Sequence, residues 1–252
     1  MDPTPPPAGP PSGPAETSLH TPGNDATAGR RAAPGRRTIL MDFDGVIVRE
    51  DSLGAFLRHH LVRTPWRVPG FLAATSALVP MIGVPATRSR GLKLLLRAGF
   101  AGLSLDRYRE RAAAFGTALA AQPGALLRPG VDAALAHLAD GDRVVVVTGS
   151  EETLARAVLD AAGLQDAELI GSQIGSTPLG LAFRVHAYGP AKVVELRERG
   201  IEPPWDVAYS DSAADLPMLR GSRSAVLVNV GVRSGARVRS ALPGRVTDVV
   251  WR

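Results

Sequence analysis

The segment 41–48 reads MDFDGVIV and places two carboxylates, Asp42 and Asp44, one residue apart after a short apolar run, TILM. Two close carboxylates do not both stay ionised without a cation, and one is pushed toward the acid form. Such a pair can serve as nucleophile and general acid/base, or as ligands of a metal. Read alone it is equally a pair of loop-capping aspartates. Three further clusters carry chemistry. VVVVTGS (144–150) ends an apolar run in Thr148, Gly149 and Ser150. A hydroxyl and free backbone N–H groups at a strand-to-helix turn bind phosphate, because the helix N-terminus adds positive potential. Lys192 follows YGP at the start of a helical segment, and its ammonium can neutralise a phosphate and a reacting aspartate together. YSDSAADLPML (209–219) supplies Asp211 after a strand and Asp215 one turn further on, hard oxygen donors that favour Mg²⁺. Each of these also has an ordinary reading: an N-cap, a surface lysine, a first-turn acid favoured by the helix dipole.

The elements that must position these residues are legible from hydrophobic pattern. TILMDF reads as a buried strand followed by a loop at Gly45. From Ser52 to about Gln122 the pattern is helical, with Ser52 as the expected N-cap and SLDRYRERAAAFGTALA (104–120) as an amphipathic helix. Residues 128–150 give a helix, a Gly-centred turn and the strand VVVV, and 151–163 a helix ending at glycine. Residues 167–185 read as short strands with turns, 190–200 as a helix with Pro in its first turn, WDVAYS as a strand and AADLPMLRGS as a short helix. SAVLVNV is the last strand, followed by a basic tail. Strands that are apolar throughout and alternate with helices indicate a parallel sheet covered on both faces. The expected fold class is α/β, a doubly wound Rossmann-like parallel sheet formed by 38–51 and 123–252, with residues 52–122 inserted after the first strand as a helical cap. Residues 1–37, rich in Pro, Gly and Ala, cannot offset their ordering entropy and read as a disordered tail.

Composition narrows the partners. The chain of 252 residues carries a formal charge of +5, but its arginines are scattered and aromatics make up only 5%. No nucleic-acid-binding motif is present, so the basic charge argues for no nucleic acid. There is no cysteine, which excludes disulfides and thiolate metal sites and fits a reducing, cytoplasmic compartment. No signal-peptide pattern is seen. VPGFLAATSALVPMIGVPA (68–86) has no charged residue and is flanked by Arg67 and Arg88. If 42–44 and the later strands build one sheet, both ends of the stretch must lie on the same side of any bilayer, which argues against a single crossing, and Pro69, Pro80 and Pro85 are expected to break helix continuity. It is either a buried part of the cap or an interfacial or re-entrant segment that brings the cap to a membrane as a peripheral contact, aided by neighbouring arginines. His59, His60, His137 and His186 show no ligand spacing and read as structural.

Taken in order, DFDGV, VVVVTGS, Lys192 and SDSAADLPML resemble motifs I to IV of the haloacid dehalogenase superfamily of phosphohydrolases, over Thr38 to about Val230. The resemblance implies that Asp42 attacks phosphorus to form an aspartyl-phosphate. Asp44 then protonates the leaving oxygen and later deprotonates water. Thr148, with Gly149 and Ser150, and Lys192 hold the phosphoryl oxygens. Mg²⁺ sits on Asp42, the carbonyl of Asp44 and Asp211, and Asp215 orients Lys192 or a water on the ion. The dehalogenases of the superfamily lack the second aspartate, so Asp44 implies a phosphatase. A helical cap between motifs I and II is similar to the branch containing phosphoserine phosphatase, although Asp51 stands where that branch has a substrate-reading glutamate and TGS replaces SGG. AYGPAK, AYSDSAADLPML and LVNV look more like phosphatidylglycerophosphatase C. The implied substrate is a phosphorylated small molecule or a lipid-linked phosphate. The alternative is a non-catalytic module of the same fold that docks partners through its cap.

Overall fold

A computed structural model of the chain describes Met1 and residues 36–252, other than 84 and 179, and leaves undescribed the side chains of 82–89 and 92. The expected tail therefore lies almost entirely outside the described residues. Arg37 already joins the sheet, its carbonyl accepting from Arg143 N at 2.8 Å.

Seven strands form one sheet: β1 (Thr38–Met41), β2 (Arg143–Glu151), β3 (Glu168–Thr177), β4 (Gly180–Val185), β5 (Trp205–Ser210), β6 (Ser222–Val228) and β7 (Val246–Val249). Their order is β4-β3-β2-β1-β5-β6-β7. All pairings are parallel except the β3–β4 hairpin. The apolar strands alternate their side chains between two cores. Ile39, Met41, Val144 and Val146 face one, and Leu40, Val145 and Val147 the other, which is why β1 and β2 read as continuous apolar runs.

Four helices lie between β1 and β2: α1 (Ser52–Arg63), α2 (Val68–Gly83), α3 (Pro85–Gly99) and α4 (Leu105–Ala120). Two details differ from the expectation. Asp51, not Ser52, caps α1, its Oδ1 accepting from Gly54 N at 3.0 Å; the Ser52 side chain is instead drawn inward. α2 also runs unbroken through Pro80. The ring removes one helical hydrogen bond, and the carbonyl left without it belongs to Ser76, an exposed residue open to water. Pro69 and Pro85 fall in the first turns of α2 and α3, where the missing N–H costs nothing. No helix among the described residues is long and apolar enough to cross a membrane.

The remaining helices are α5 (Arg128–Ala139), α6 (Glu152–Ala161), α7 (Pro190–Glu198), α8 (Leu216–Arg220) and α9 (Val232–Ala241). SAVLVNV is thus not the last strand: what read as a basic tail folds as α9 and β7. α9 buries only Gly235 and Val238, and β7 is a half-exposed edge strand, so neither shows an apolar period in the sequence. The chain leaves β1 through a tight loop in which Val48 N and Ile47 N both donate to Phe43 O. This loop is stitched to the end of the insert, Leu127 N donating to Ile47 O and Arg49 N to Ala125 O, each at 2.8 Å. The route out of the sheet and the route back are thereby held side by side.

Candidate active site

The chain builds β1, β2 and β3 in one direction and then crosses to place β5 on the other side of β1. The direction of winding reverses between β1 and β5, and ligand crevices form at that point, beyond the carboxyl ends of the strands. Asp42 directly follows β1, Thr148 to Ser150 close β2, and Asp211 follows β5. The Asp42 N–H continues the ladder to Tyr209 O at 2.9 Å.

Asp42, Lys192 and Asp215 form a buried ionic unit. Lys192 Nζ lies 2.8 Å from Asp42 Oδ1 and 2.9 Å from Asp215 Oδ2. The lysine, in the first turns of α7, is 2% exposed. Phe43 N donates to Asp42 Oδ1 at 2.7 Å, and Ser210 Oγ donates to Asp215 Oδ2 at 2.8 Å. Burial opposes the charge on Lys192, but the two carboxylates outweigh it and raise its pKa. Burial, reinforced by Asp215, pushes Asp42 well above the ordinary carboxylate value, while Lys192 opposes. Asp215 goes the other way: burial would raise it, but Lys192 and its hydrogen bonds hold it low. One lysine neutralises one carboxylate, Asp215, and Asp42 is the one pushed toward the acid form.

Asp44 sits apart from that unit. Its Oδ1 accepts from Ser52 N at 2.9 Å and its Oδ2 from Ser150 Oγ at 2.8 Å. The two serine hydroxyls are themselves 2.7 Å apart. Burial raises the Asp44 pKa against these donors. The sequence reading attributed the perturbation to the closeness of Asp42 and Asp44. In the structure, the carboxylate that acts on Asp42 is Asp215, and Asp44 is perturbed chiefly by desolvation.

Asp211 comes from the far end of the chain and lies against Gly45. Gly45 has φ +78°, and a Cβ there would stand 2.3 Å from Asp211 Oδ2. Only glycine permits both the left-handed turn and that approach. Burial, with Asp215 and Asp44 adding and Lys192 opposing, pushes Asp211 up to about 6. Asp42, Asp44 and Asp211 are all pushed toward the acid form, and Lys192 is already committed. The site therefore lacks positive charge. Among the described residues no group of three or more His, Asp or Glu side chains is placed to hold a metal ion. That does not disfavour Mg²⁺, which takes one or two carboxylates and completes its shell with other oxygens. The set that the resemblance implies, Asp42, Asp211 and the Asp44 carbonyl, consists of hard oxygen donors, the ligand type such an ion takes.

Thr148 is fully buried, and its Oγ1 accepts from Ser150 N at 2.9 Å. Its own proton has no acceptor among the described residues. Gly149 leaves room for Tyr188, whose Cδ2 would be 3.3 Å from a Cβ there. Ser150, expected to face the phosphate, gives its hydroxyl to Asp44. Asp51 is exposed and caps α1. His137 binds Asp142 Oδ2 at 2.8 Å and Tyr209 OH at 3.0 Å, a structural role. The sequence reading missed Ser52 and Ser210 as groups that hold Asp44 and Asp215. A serine at a helix start or strand end carries no signal of its own beyond capping.

A family model described as haloacid dehalogenase-like hydrolase matches residues 39–220. Among solved structures, cytosolic 5'-nucleotidase IIIB bound to cytidine is similar with a TM-score of 0.55 and 13% identity, over 85% of this chain and 80% of that one. A phosphoserine phosphatase solved as a phospho-aspartyl intermediate analogue gives a TM-score of 0.51 and 13% identity, over 85% of this chain and 93% of that one. A phosphoserine phosphohydrolase-like protein from Francisella tularensis subsp. tularensis SCHU S4 gives 0.54 and 13%, over 84% and 94%. At these identities the likeness is one of fold.

Proposed function

Because the chain belongs to the haloacid dehalogenase-like hydrolase family, we propose that it is a phosphatase that cleaves phosphomonoesters through an aspartyl-phosphate on Asp42. The observation that carries this reading is the division of the aspartates. Asp42 is fixed by Lys192 and Phe43 N through Oδ1, which leaves Oδ2 to attack phosphorus. Asp44, held separately by Ser52 and Ser150, is a buried carboxyl suited to general acid/base work. As the Asp42 oxygen bonds to phosphorus, the ester P–O bond breaks and Asp44 gives its proton to the leaving oxygen. Asp44 then takes a proton from water as that water attacks the aspartyl-phosphate, releasing phosphate and restoring Asp42. In this reading Lys192 and the Thr148 hydroxyl hold phosphoryl oxygens, and Asp215 keeps Lys192 charged and aimed. Mg²⁺, held by Asp42, the Asp44 carbonyl and Asp211, would supply the missing positive charge that allows an anionic ester to approach.

The substrate class is a phosphorylated small molecule; a nucleotidase and a phosphoserine phosphatase among the similar folds support it. The test is a panel of sugar, nucleoside, amino-acid and lipid phosphates with Mg²⁺. Turnover abolished by EDTA and by Asp42→Asn is expected. A folded wild type inert on the whole panel would favour the docking-module reading instead.

A lipid-linked phosphate is favoured by one observation. No Asp or Glu occurs from Ser52 to Leu105, while Arg58, Arg63, Arg67, Arg88, Arg90, Lys93 and Arg97 do. The outer face of α2 is uncharged, with Leu72 and Val79 each 57% exposed. An uncharged helix face within an acid-free basic segment suits peripheral contact with an anionic lipid surface. Flotation with phosphatidylglycerol vesicles should carry the wild type and leave a Leu72→Asp/Val79→Asp variant behind. Equal, negligible flotation of both would exclude it.

A further inference from the structure

Between α1 and α4 the helical insert leaves a half-open surface cavity of about 640 Å³, most of its lining residues exposed. This is within the size range of small-molecule sites. It lies at the end of α1 away from the aspartates. Ser52, at the start of α1, touches the Asp44 carboxylate, whereas His59 to Arg63 are seven to eleven residues further along, about 11–17 Å at the helical rise.

The walls combine aromatic surface with unpaired positive charge. Phe56 and Phe115 pack with ring centroids 5.3 Å apart, and His59 lies 5.0 Å from Phe115. Trp66 stands at the edge, 73% exposed, which is unusual for an indole. Arg63 and Arg111 also line the cavity, and no Asp or Glu does. Neither arginine forms an ion pair among the described residues. Arg111 has one partner there: its Nη1 is 3.3 Å from His60 Nδ1. A guanidinium can only donate, so Nδ1 accepts and the imidazole proton lies on Nε2. His60 Nε2 is buried and has no partner among the described residues. Burial, then Arg111 and Arg67, lower the His60 pKa to about 4, so at neutral pH the histidine remains a neutral donor beside the Arg111 cation. Buried donors are normally satisfied, and this one sits in a cavity wall that contains no acceptor charge.

We propose that this cavity is a second ligand site, separate from the aspartate cluster, for an organic anion with an aromatic or apolar body. The body lies against Trp66 and the rim of Phe115 that the core leaves open. The acidic group, a carboxylate, sulfonate or phosphate, is met by the Arg63 and Arg111 guanidiniums. Neutral aromatic compounds of the same shape lack the group that pairs the arginines and bind more weakly.

The full chain titrated with 8-anilinonaphthalene-1-sulfonate tests this. Saturable one-to-one binding with enhanced emission is expected. An Arg63→Ala/Arg111→Ala variant should bind at least tenfold more weakly, and Ala118→Trp, which fills the cavity, should abolish binding. Asp42→Asn should bind as the wild type does, and the uncharged N-phenyl-1-naphthylamine should bind at least tenfold more weakly than the sulfonate. Circular-dichroism melts establish that each variant is folded; should the arginine variant not fold, Ala118→Trp decides alone. Absence of one-to-one binding, binding untouched by Ala118→Trp, equal affinity for the uncharged probe, or loss on Asp42→Asn would each overturn the proposal.

Discussion

Replacing Lys192 with methionine keeps the length of the side chain and removes the cation that Asp42 and Asp215 share. Each contact, at 2.8 and 2.9 Å, is worth about 6 kcal/mol of gross attraction at an effective dielectric of 20. Desolvation of the buried lysine and carboxylates offsets most of this, so breaking the unit costs about 3–5 kcal/mol net. The cost must depend on pH. In the variant the charge on Asp215, no longer neutralised, is either tolerated or removed by a proton. Each unit of pH above the ordinary carboxyl value of 3.8 makes that proton about 1.4 kcal/mol dearer. Protonation therefore limits the loss to about 1.6 kcal/mol at pH 5 and stops limiting it near pH 8. The sign follows from linkage. In the wild type the depressed Asp215 pKa stabilises the fold above 3.8, and this is lost as pH falls through its folded value. In the variant Asp215 becomes a raised group, whose stability is present at low pH and lost as pH rises. Urea unfolding of both proteins in EDTA at pH 5 and pH 8 measures the difference. A gap that widens by about 1.4–3.4 kcal/mol toward pH 8 is expected. A gap of the same size at both pH values, or none at pH 8, would refute the reasoning. Adding Asp215→Asn to the variant should recover much of the loss at pH 8.

Asp44→Asn should lower kcat/KM about 10²–10⁴-fold for alkyl phosphates, and much less for p-nitrophenyl phosphate, whose leaving group needs no proton; equal losses for both would remove Asp44 as the acid. Ser150→Ala deletes a donor to the ionised form of Asp44 and so raises its pKa further. The alkaline limb of kcat/KM, which reports the protonated acid, should move to higher pH, and an unmoved limb would place the titration elsewhere. Gly45→Ala forces a Cβ to φ +78° and toward Asp211 Oδ2. A loss of about 1–3 kcal/mol in stability, together with a higher Mg²⁺ concentration for half-maximal activity, is expected; a rise in Mg²⁺ requirement with no loss of stability would argue against the steric explanation.

Much of this site was legible because its residues end apolar strands. Asp42 follows, and Thr148 lies near the end of, a run buried on both faces, while Asp211 follows the more mixed, partly half-buried β5; their positions at strand ends place them at one edge of a parallel sheet. Lys192 and Asp215 were legible as motif members, and the family resemblance already gave Asp215 the orienting of Lys192 as one of two roles; that one buried lysine is shared by Asp42 and Asp215 shows only in the folded chain, where their elements meet. Local ambiguity hid other features. Asp51 and Ser52 are both good caps, and only the tertiary position of Ser150 decides which one turns inward. Pro80 reads as a breaker, yet on the solvent side of α2 its cost is small enough for the helix to continue. The arginine-rich sequence after Val230 conceals α9 and β7 because an edge strand and a helix with two buried residues need few apolar side chains. The cavity beside His60 was invisible for the opposite reason. His59 and His60 lack ligand spacing, and nothing in the sequence brings Arg111 to them.

The central claim is that Asp42 carries the phosphoryl group. The most direct measurement is to quench the full-length protein during turnover of p-nitrophenyl phosphate with Mg²⁺, reduce it with borohydride and map the peptides by mass spectrometry. An aspartyl-phosphate is reduced to homoserine, and conversion at position 42 is expected only when substrate is present. Turnover without modification at 42, or conversion at Asp44 or Asp211 instead, would contradict it.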